Sequence, residues 1–263
     1  MSMIQKLQFR RQSTHRARGF TLIELVLVIG IIGLLLGAVL TPLATQVQQR
    51  KVKEAENGLA DIREALIGYA LAKGRLPCPD NDDPPDGVGN PVSGGPCNDP
   101  GGGDPLEGFL PFGELGVTPV DSWGRRYLYR VTSAYTYATV PGSVPAVDQL
   151  DLGDAGDITI KDRASDKSEI VLASTAAAVV VSLGRNGYGG RDLDNNTLVA
   201  PTGADELENT NGDDTFVKRG HSPQSSPCSD TAGTSAFCEY DDLVIWIPDS
   251  LLKGRLVAAN QLP

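Results

Sequence analysis

The amino-acid sequence predicts an α+β protein, in which one long N-terminal helix precedes several short β-strands. Two observations lead to this fold class. An uncharged apolar run begins at Leu25 and continues into a segment with helical periodicity that ends before Gly74. Further along, runs of β-branched and aromatic residues alternate with turn-forming residues. About 200 residues follow the apolar run, which is enough for one sizeable domain.

Residues 1–19 form a short basic leader. This leader contains no acidic residue, and its basic residues are Lys6, Arg10, Arg11, Arg16 and Arg18. Such an excess of basic residues holds a segment on the cytoplasmic side of a membrane. The uncharged run from Leu25 to Gln49 would span about 37 Å as a helix, more than the apolar layer of about 30 Å. The sequence therefore predicts a transmembrane helix over residues 20–45, with the leader inside the cell.

The apolar run is predicted to continue as an amphipathic helix to Lys73. Gly74, followed by Pro77 and Pro79, supplies the stop. One face of this helix is apolar and suited to packing on a sheet. The residues that recur on this face at spacings of three or four are Val52, Ala55, Leu59, Ile62, Leu66 and Tyr69.

The rest of the chain is predicted to consist of loops and strands. Residues 77–105 are rich in proline and glycine and predict an exposed loop. The predicted strands are Tyr127–Val131, Ile170–Leu172, Ala177–Leu183 and Leu243–Ile247.

The run Gly19-Phe20-Thr21-Leu22-Ile23-Glu24 stands between the leader and the apolar run. An ordinary secretory signal is cut after its apolar core, whereas a cut between Gly19 and Phe20 would leave the apolar helix on the mature protein. Glu24 would then lie at the edge of the membrane segment. An unpaired carboxylate costs about 3 kcal/mol at the bilayer centre, so Glu24 needs a partner.

This run closely resembles the class III signal of type IV pilins and type II secretion pseudopilins. In that family a prepilin peptidase cuts after the glycine and methylates the new N-terminal phenylalanine. The resemblance assigns these positions to Gly19 and Phe20. It also implies that Glu24 pairs with the N-terminal amine of a neighbouring subunit.

The same resemblance implies a pilin-like fold, with the long helix packed on an antiparallel sheet in a periplasmic domain of residues 46–263. Two further segments support it. Asp121-Ser-Trp-Gly-Arg-Arg-Tyr resembles a segment of major pseudopilins, and Leu76-Pro-Cys-Pro resembles a segment of other prepilin-like proteins.

The implied function is assembly of a type IV pilus or a type II secretion filament. The partners implied are prepilin peptidase, other pilin or pseudopilin subunits, and an inner-membrane assembly platform. The protein is expected in the inner membrane as a single-pass protein with a periplasmic C-terminal domain, and later in the filament. Its size and long loops favour a minor subunit. A major pilin and a filament-anchored adhesin are the alternatives. The sequence also leaves open whether the filament is a pilus, a secretion pseudopilus or a DNA-uptake fibre.

Charge argues against nonspecific nucleic-acid binding. The formal net charge is −10 and includes the five basic leader residues, so the chain from Phe20 onward carries about −15. Nucleic-acid binding depends on clustered basic residues facing phosphates, and no such run is visible.

The four cysteines all follow the predicted membrane segment. Cys78 and Cys97 flank the proline- and glycine-rich loop, and Cys228 and Cys238 flank a second loop rich in small residues. An oxidising periplasm permits disulfides that close such loops. Of the three possible connectivities we favour 78–97 with 228–238. A zinc site is less favoured because short Cys-x-x-Cys spacing and histidine partners are missing.

An enzyme is not expected. Outside the leader, His221 is the only histidine, and no nucleophile motif lies near it. Paired carboxylates are abundant, but acidic residues usually form a solvated surface.

An acidic segment between Asn186 and Asp214 predicts Ca²⁺ binding, because Ca²⁺ takes six to eight hard oxygen ligands on flexible backbone. It follows Val-Ser-Leu-Gly-Arg-Asn-Gly, a position similar to that of the calcium loop in major pseudopilins, although its acidic residues are more widely spaced. The candidate ligands are Asp192, Asp194, Asp205, Glu206, Glu208, Asp213 and Asp214. A second acidic group at Asp80, Asp82, Asp83 and Asp86 is a weaker candidate, because prolines interrupt it.

Overall fold

A computed structural model describes residues 19–90, 97, 104–137 and 150–262, apart from the side chains of residues 36–44. The predicted leader therefore lies outside the described residues, except for Gly19. The chain divides into two compact units, residues 1–48 and 49–263. Each unit is described by itself.

Helix α1 runs from Leu22 to Lys73, as the periodicity predicts. It ends at Gly74, which has a φ of +71° and donates its N–H to the Ala70 carbonyl at 2.8 Å. A left-handed glycine after the last turn is a common way to close a helix. In the second unit, the predicted apolar face is buried at Ala55, Leu59, Ile62 and Leu66, whereas Val52 is exposed.

The second unit contains a six-stranded sheet built around one long strand. The strands are β1 Glu107–Phe109, β2 Leu128–Val131, β3 Ile158–Arg163, β4 Glu169–Ser182, β5 Thr215–Val217 and β6 Leu243–Pro248. The short helices are α2 Phe112–Leu115, α3 Ala204–Glu208 and α4 Asp249–Ala258, with a 3-10 turn at Ser133–Thr136. The predicted strands Ile170–Leu172 and Ala177–Leu183 thus fall on one strand, β4, which ends at Ser182.

Strand β4 holds the sheet together because it pairs with three other strands. Its first half is antiparallel to β3, and its second half lies between β2 and β6, both antiparallel to it. The strand β5 runs parallel to β3. The prediction of an antiparallel sheet is therefore wrong at this pairing, and the sheet is mixed. The long connection from β4 to β5 allows β5 to lie beside β3 and to run in the same direction as β3.

Both faces of the sheet are covered in the second unit. Alternate residues of a strand point to opposite faces, and β4 accordingly contributes to two apolar clusters. Ala178 and Val180 belong to the cluster that contains the buried face of α1 and the inner residues of α4. Val179 and Val181 belong to the second cluster, with Phe216 of β5. The predicted packing of a helix on the sheet is present here.

The segment after α1 differs from the predicted exposed loop. Residues 77–80 are buried, and Asp80 is fully buried. The Asp80 carboxylate accepts hydrogen bonds from the N–H groups of Gly87, at 2.6 Å, and Asp82, at 3.2 Å. Because the aspartate satisfies backbone donors of its own loop, the proline-rich chain folds back on itself and can be buried.

Candidate processing, assembly and metal sites

The junction between Gly19 and Phe20 lies just before α1 in non-helical backbone. Apart from its chain neighbours, no described residue has a heavy atom within 4 Å of the position that a Cβ of Gly19 would occupy. Phe20 is 79% exposed. Among the described residues of the first unit, this peptide bond is thus unobstructed, as a processing site must be.

The helix that follows the junction begins with a side-chain cap. The Glu24 N–H donates to the Thr21 Oγ1 at 3.3 Å, and the Leu25 N–H donates to the Thr21 carbonyl at 3.1 Å. A threonine at the helix start with a glutamate three residues later is the sequence pattern of a capping box. A carboxylate in the first turn is also favoured by the helix dipole. Glu24 therefore lies in the first turn of α1, at the end where cleavage would create the new amine.

Within the first unit, the part of α1 before residue 36 exposes apolar side chains around its whole circumference. Leu25, Val26, Leu27 and Val28 are 55%, 59%, 60% and 43% exposed. Because consecutive helix positions are about 100° apart, these four residues face all directions. A helix that is apolar on every side is normally covered by lipid or by other helices.

No helix within the described residues combines the length and the apolar character that crossing a membrane requires. The transmembrane segment over residues 20–45 stays a prediction.

The four cysteines form two disulfides. Cys78 is bonded to Cys97, and Cys228 to Cys238, with Cα atoms 5.3 Å and 4.8 Å apart. This is the connectivity that the loop positions favour, and it leaves no thiol for a zinc site.

Among the described residues, Glu206 is the one predicted ligand between residues 186 and 214 that belongs to a group of three close carboxylates. Glu208 and Asp213 both accept hydrogen bonds from Asn211 Nδ2, at 3.2 and 2.9 Å. Asp192 is partly exposed and accepts hydrogen bonds from the N–H and Nδ2 of Asn196, at 2.8 and 3.0 Å. Asp194 is exposed. Asp213 is also exposed, and its carboxylate accepts hydrogen bonds within its own turn. Asp214 is exposed beside it, and Glu208 is half-buried.

Asp205 is committed to a buried ion-pair network. Its Oδ1 accepts from Arg163 Nε at 2.7 Å, and its Oδ2 accepts from Arg219 Nε at 2.6 Å. Arg219 also pairs with Asp230 at 3.1 Å and lies over the ring of Tyr240. Guanidinium groups thus hold both carboxylate oxygens of Asp205. Through Arg219 and Asp230, this network joins β3 to the loop closed by the second disulfide.

Glu206 lies in a different cluster, together with Asp241 and Asp242. One carboxylate oxygen from each of the three lies within 4.8 Å of the others. Glu206 Oε1 accepts hydrogen bonds from Asn186 Nδ2 at 3.0 Å and from the Asp241 N–H at 3.2 Å. Asp242 Oδ2 accepts from Asn209 at 2.9 Å. We call these three residues the carboxylate cluster.

Burial controls the protonation of the carboxylate cluster. It raises the pKa of Glu206 to about 7, and the neighbouring Asp241 contributes in the same direction. It also raises the pKa of Asp242 well above its ordinary value. Asp241 Oδ1 is buried and has no hydrogen-bond partner among the described residues. Three close carboxyls in this setting retain protons or need a cation.

Only Glu206 of this cluster was among the predicted ligands. Asp241 and Asp242 were missed, although the acidic run Glu239-Tyr-Asp-Asp just before β6 was a signal that could have indicated them. The weaker candidates Asp80, Asp82 and Asp86 also lie within 4.8 Å of one another. Asp83 instead pairs with Arg191 at 2.9 Å.

The only histidine in the described part of the chain has a structural contact. His221 Nδ1 lies 2.9 Å from the Tyr240 carbonyl oxygen.

Comparison with models of known families identifies the prokaryotic N-terminal methylation motif at residues 14–40. Comparisons with curated proteins and with solved structures find no match. The chain thus carries the class III signal of type IV pilins and pseudopilins. In type IV pilins and pseudopilins this signal marks subunits that prepilin peptidase processes and that assemble with other pilins.

Proposed function

We propose that the chain is a minor subunit of a type IV pilus or of a type II secretion filament. The observation that carries this proposal is the Gly19-Phe20…Glu24 run, positioned at the start of a helix that is apolar on all sides. Prepilin peptidase would cut after Gly19 and methylate Phe20.

Glu24 would act in assembly rather than in cleavage. Its place in the first turn of α1, where Thr21 caps the helix, sets it at the same helix end as the new amine. A carboxylate and an amine from adjacent subunits would neutralise each other in an apolar filament core, where either charge alone is costly.

The apolar surface of the first unit would have two successive environments. As a membrane helix over residues 20–45 it would be covered by lipid in the inner membrane, with the domain of residues 46–263 in the periplasm. In the filament the same surface would be covered by the helices of other subunits. Both environments keep these apolar side chains out of water, where their exposure would be unfavourable.

The size of the second unit supports a minor rather than a major subunit. Its loops between β4 and β6 carry their own helix, ion-pair network and disulfide. Such a layer would crowd the lattice of a filament in which it repeated at every position. A sparse subunit, at or near the tip, has no such restriction.

Calcium binding by residues 186–214 remains part of the proposal. Oxygen-rich side chains in this segment, among them Asp192, Asp194 and Glu206, are the ligand type that Ca²⁺ prefers. The ion pairs of Asp205 argue that this residue has a structural role instead.

Quantitative mass spectrometry of sheared filaments and of purified secretion complexes tests the proposed role. A minor subunit would be sparse in one of these fractions, and its deletion would lower the number of filaments. An abundant subunit would instead indicate a major pilin. Loss of attachment with an unchanged filament number would indicate an adhesin.

A further inference from the structure

A groove of about 750 Å³ lies along the part of α1 that belongs to the second unit. One wall is the helix from Arg50 to Asp61, and the other is the loop Thr118–Ser122. We call it the helix–loop groove. Its volume is within the range of about 300–1,000 Å³ that is typical of ligand pockets.

The loop wall of the groove is held in place from two sides. Ser122 Oγ donates a hydrogen bond to the Lys51 carbonyl at 2.7 Å, which ties the loop to the helix. The Asp121 carboxylate accepts from Ser182 Oγ at 2.6 Å and from two backbone N–H groups of the following turn, each at 2.9 Å. The groove is therefore formed before any partner arrives, which lowers the entropic cost of binding.

The depth of the groove depends on a glycine of α1. A Cβ at Gly58 would lie 3.0 Å from the Tyr127 hydroxyl oxygen. Any side chain at this position would fill the space between helix and loop. Gly58 thus keeps the groove open. Its helical backbone conformation does not itself require glycine.

The charge of the groove changes sign from one end to the other. Arg50 and Lys53 lie at one end, Glu54 follows, and Asp61 lies at the other end, about 16 Å from Arg50 along the helix axis. Within the described part of the chain, neither Arg50 nor Lys53 forms an ion pair or a side-chain hydrogen bond. With Lys51 they make three basic residues within four positions, a density that no other segment after Phe20 reaches.

We propose that the helix–loop groove docks an acidic segment of a neighbouring filament subunit, whose carboxylates pair with Arg50 and Lys53. The inference rests on the proposed function, because it needs a filament to supply the neighbour. Charge complementarity favours such a partner, since Arg50 and Lys53 lie close together in a chain whose net charge after Phe20 is about −15.

A protein segment fits this groove better than an anionic membrane surface does. The groove is concave, whereas a lipid surface is flat, and Glu54 and Asp61 would repel lipid phosphates along most of its length. In a protein partner a hydrogen-bond donor can face Asp61 while carboxylates face Arg50. The opposite charges at the two ends would then fix the register of one subunit on the next.

Zero-length carbodiimide cross-linking of sheared filaments that contain the full chain tests this contact. The reagent joins a lysine only to a carboxylate that touches it. We expect Lys53 to be linked to an aspartate or glutamate of an adjacent subunit. If Lys73, which is exposed outside the groove, is linked to neighbouring subunits and Lys53 is not, the proposal fails.

Charge reversal gives an independent test. Arg50→Glu with Lys53→Glu should lower incorporation into filaments about tenfold, and should leave leader cleavage and the melting temperature unchanged. Lys73→Glu with Arg255→Glu changes the net charge equally at exposed positions outside the groove and serves as the control. Equal incorporation of the two double variants would refute the docking proposal.

The outcomes also separate this inference from the proposed function. If the wild-type leader is not cleaved after Gly19, the filament function itself fails. If the chain is cleaved and the Arg50 and Lys53 variant assembles normally, only the groove proposal fails. A third outcome points to a membrane surface as the partner. The full chain would then bind phosphatidylglycerol vesicles, this variant would not, and Lys53 would form no cross-link to protein. That result would also overturn the proposal.

Discussion

Replacement of Glu206 by glutamine should remove a large part of the pH dependence of folding. Glu206 is 2% exposed, and burial raises its pKa from 4.5 to about 7. Because the folded state holds this proton more tightly than the unfolded state, the contribution of Glu206 to stability is fully present below about pH 4.5 and is lost as the pH rises to about 7. A pKa difference of about 2.5 corresponds to at most about 3.5 kcal/mol, at about 1.4 kcal/mol per pKa unit.

Glutamine is a suitable replacement because its Oε1 can still accept the hydrogen bonds from Asn186 and from the Asp241 backbone. Glu206→Gln should therefore be more stable than the wild type at pH 8, by up to about 3.5 kcal/mol, and similar to it at pH 4.5. Glu56→Gln, on the exposed face of α1, is the matched control and should leave the pH dependence unchanged.

The assay is urea unfolding of residues 46–263 at several pH values between 4.5 and 8, with a chelator present to exclude bound cations. Glu107, whose pKa burial also raises to about 7, is present in every variant, so the difference between variants reports on Glu206 and its coupling to the other two carboxylates of the cluster. Parallel pH profiles for the wild type and Glu206→Gln would show that the carboxylate cluster is not protonated as described, and the reasoning would be refuted.

Three further predictions concern assembly, disulfides and calcium. Glu24→Ala should preserve cleavage and membrane insertion but reduce filament incorporation, measured by immunoblotting of sheared filaments; normal incorporation would show that the charge pair is dispensable. Nonreducing peptide mapping of the periplasmic protein should find both disulfides, each worth about 3 kcal/mol on the chain-entropy model, whereas free thiols would contradict them. Excess Ca²⁺ should raise the melting temperature of residues 46–263, and Asp192→Ala with Asp194→Ala should remove most of the gain; equal melting in calcium and chelator would argue for a solvated acidic surface.

Local sequence signals predicted the long helix well. The end of α1 at Lys73 follows from Gly74, because a left-handed residue there closes the last turn. The buried positions Leu59, Ile62 and Leu66 follow from the helical period of the apolar residues. These are local properties, so a single sequence is enough to find them.

The sheet was predicted less completely because its strands depend on distant partners. In β3 only Ile158 and Ile160 are apolar, and charged residues follow them, so the strand has a weak local signal. The three-residue strands β1 and β5 are too short to show a period. Their pairing, including the parallel pairing of β5 with β3, arises from long-range contacts that no local pattern encodes.

The processing and carboxylate sites differ in the same way. Gly19, Phe20 and Glu24 lie within six consecutive positions and were found from the sequence. The carboxylate cluster joins Glu206 to Asp241 and Asp242 across 35 positions, through the fold that brings α3 next to the segment before β6. Spacing within one loop could not reveal such a cluster.

N-terminal sequencing, with intact-mass analysis of the protein from the membrane and from sheared filaments, tests the central claim most directly. The proposed function predicts a mature chain that begins at N-methylated Phe20 in both fractions, and uncleaved precursor when Gly19 is replaced by a bulky residue. A mature chain that begins after residue 40 would show that the apolar segment is a removable signal, and it would contradict the assignment as a filament subunit.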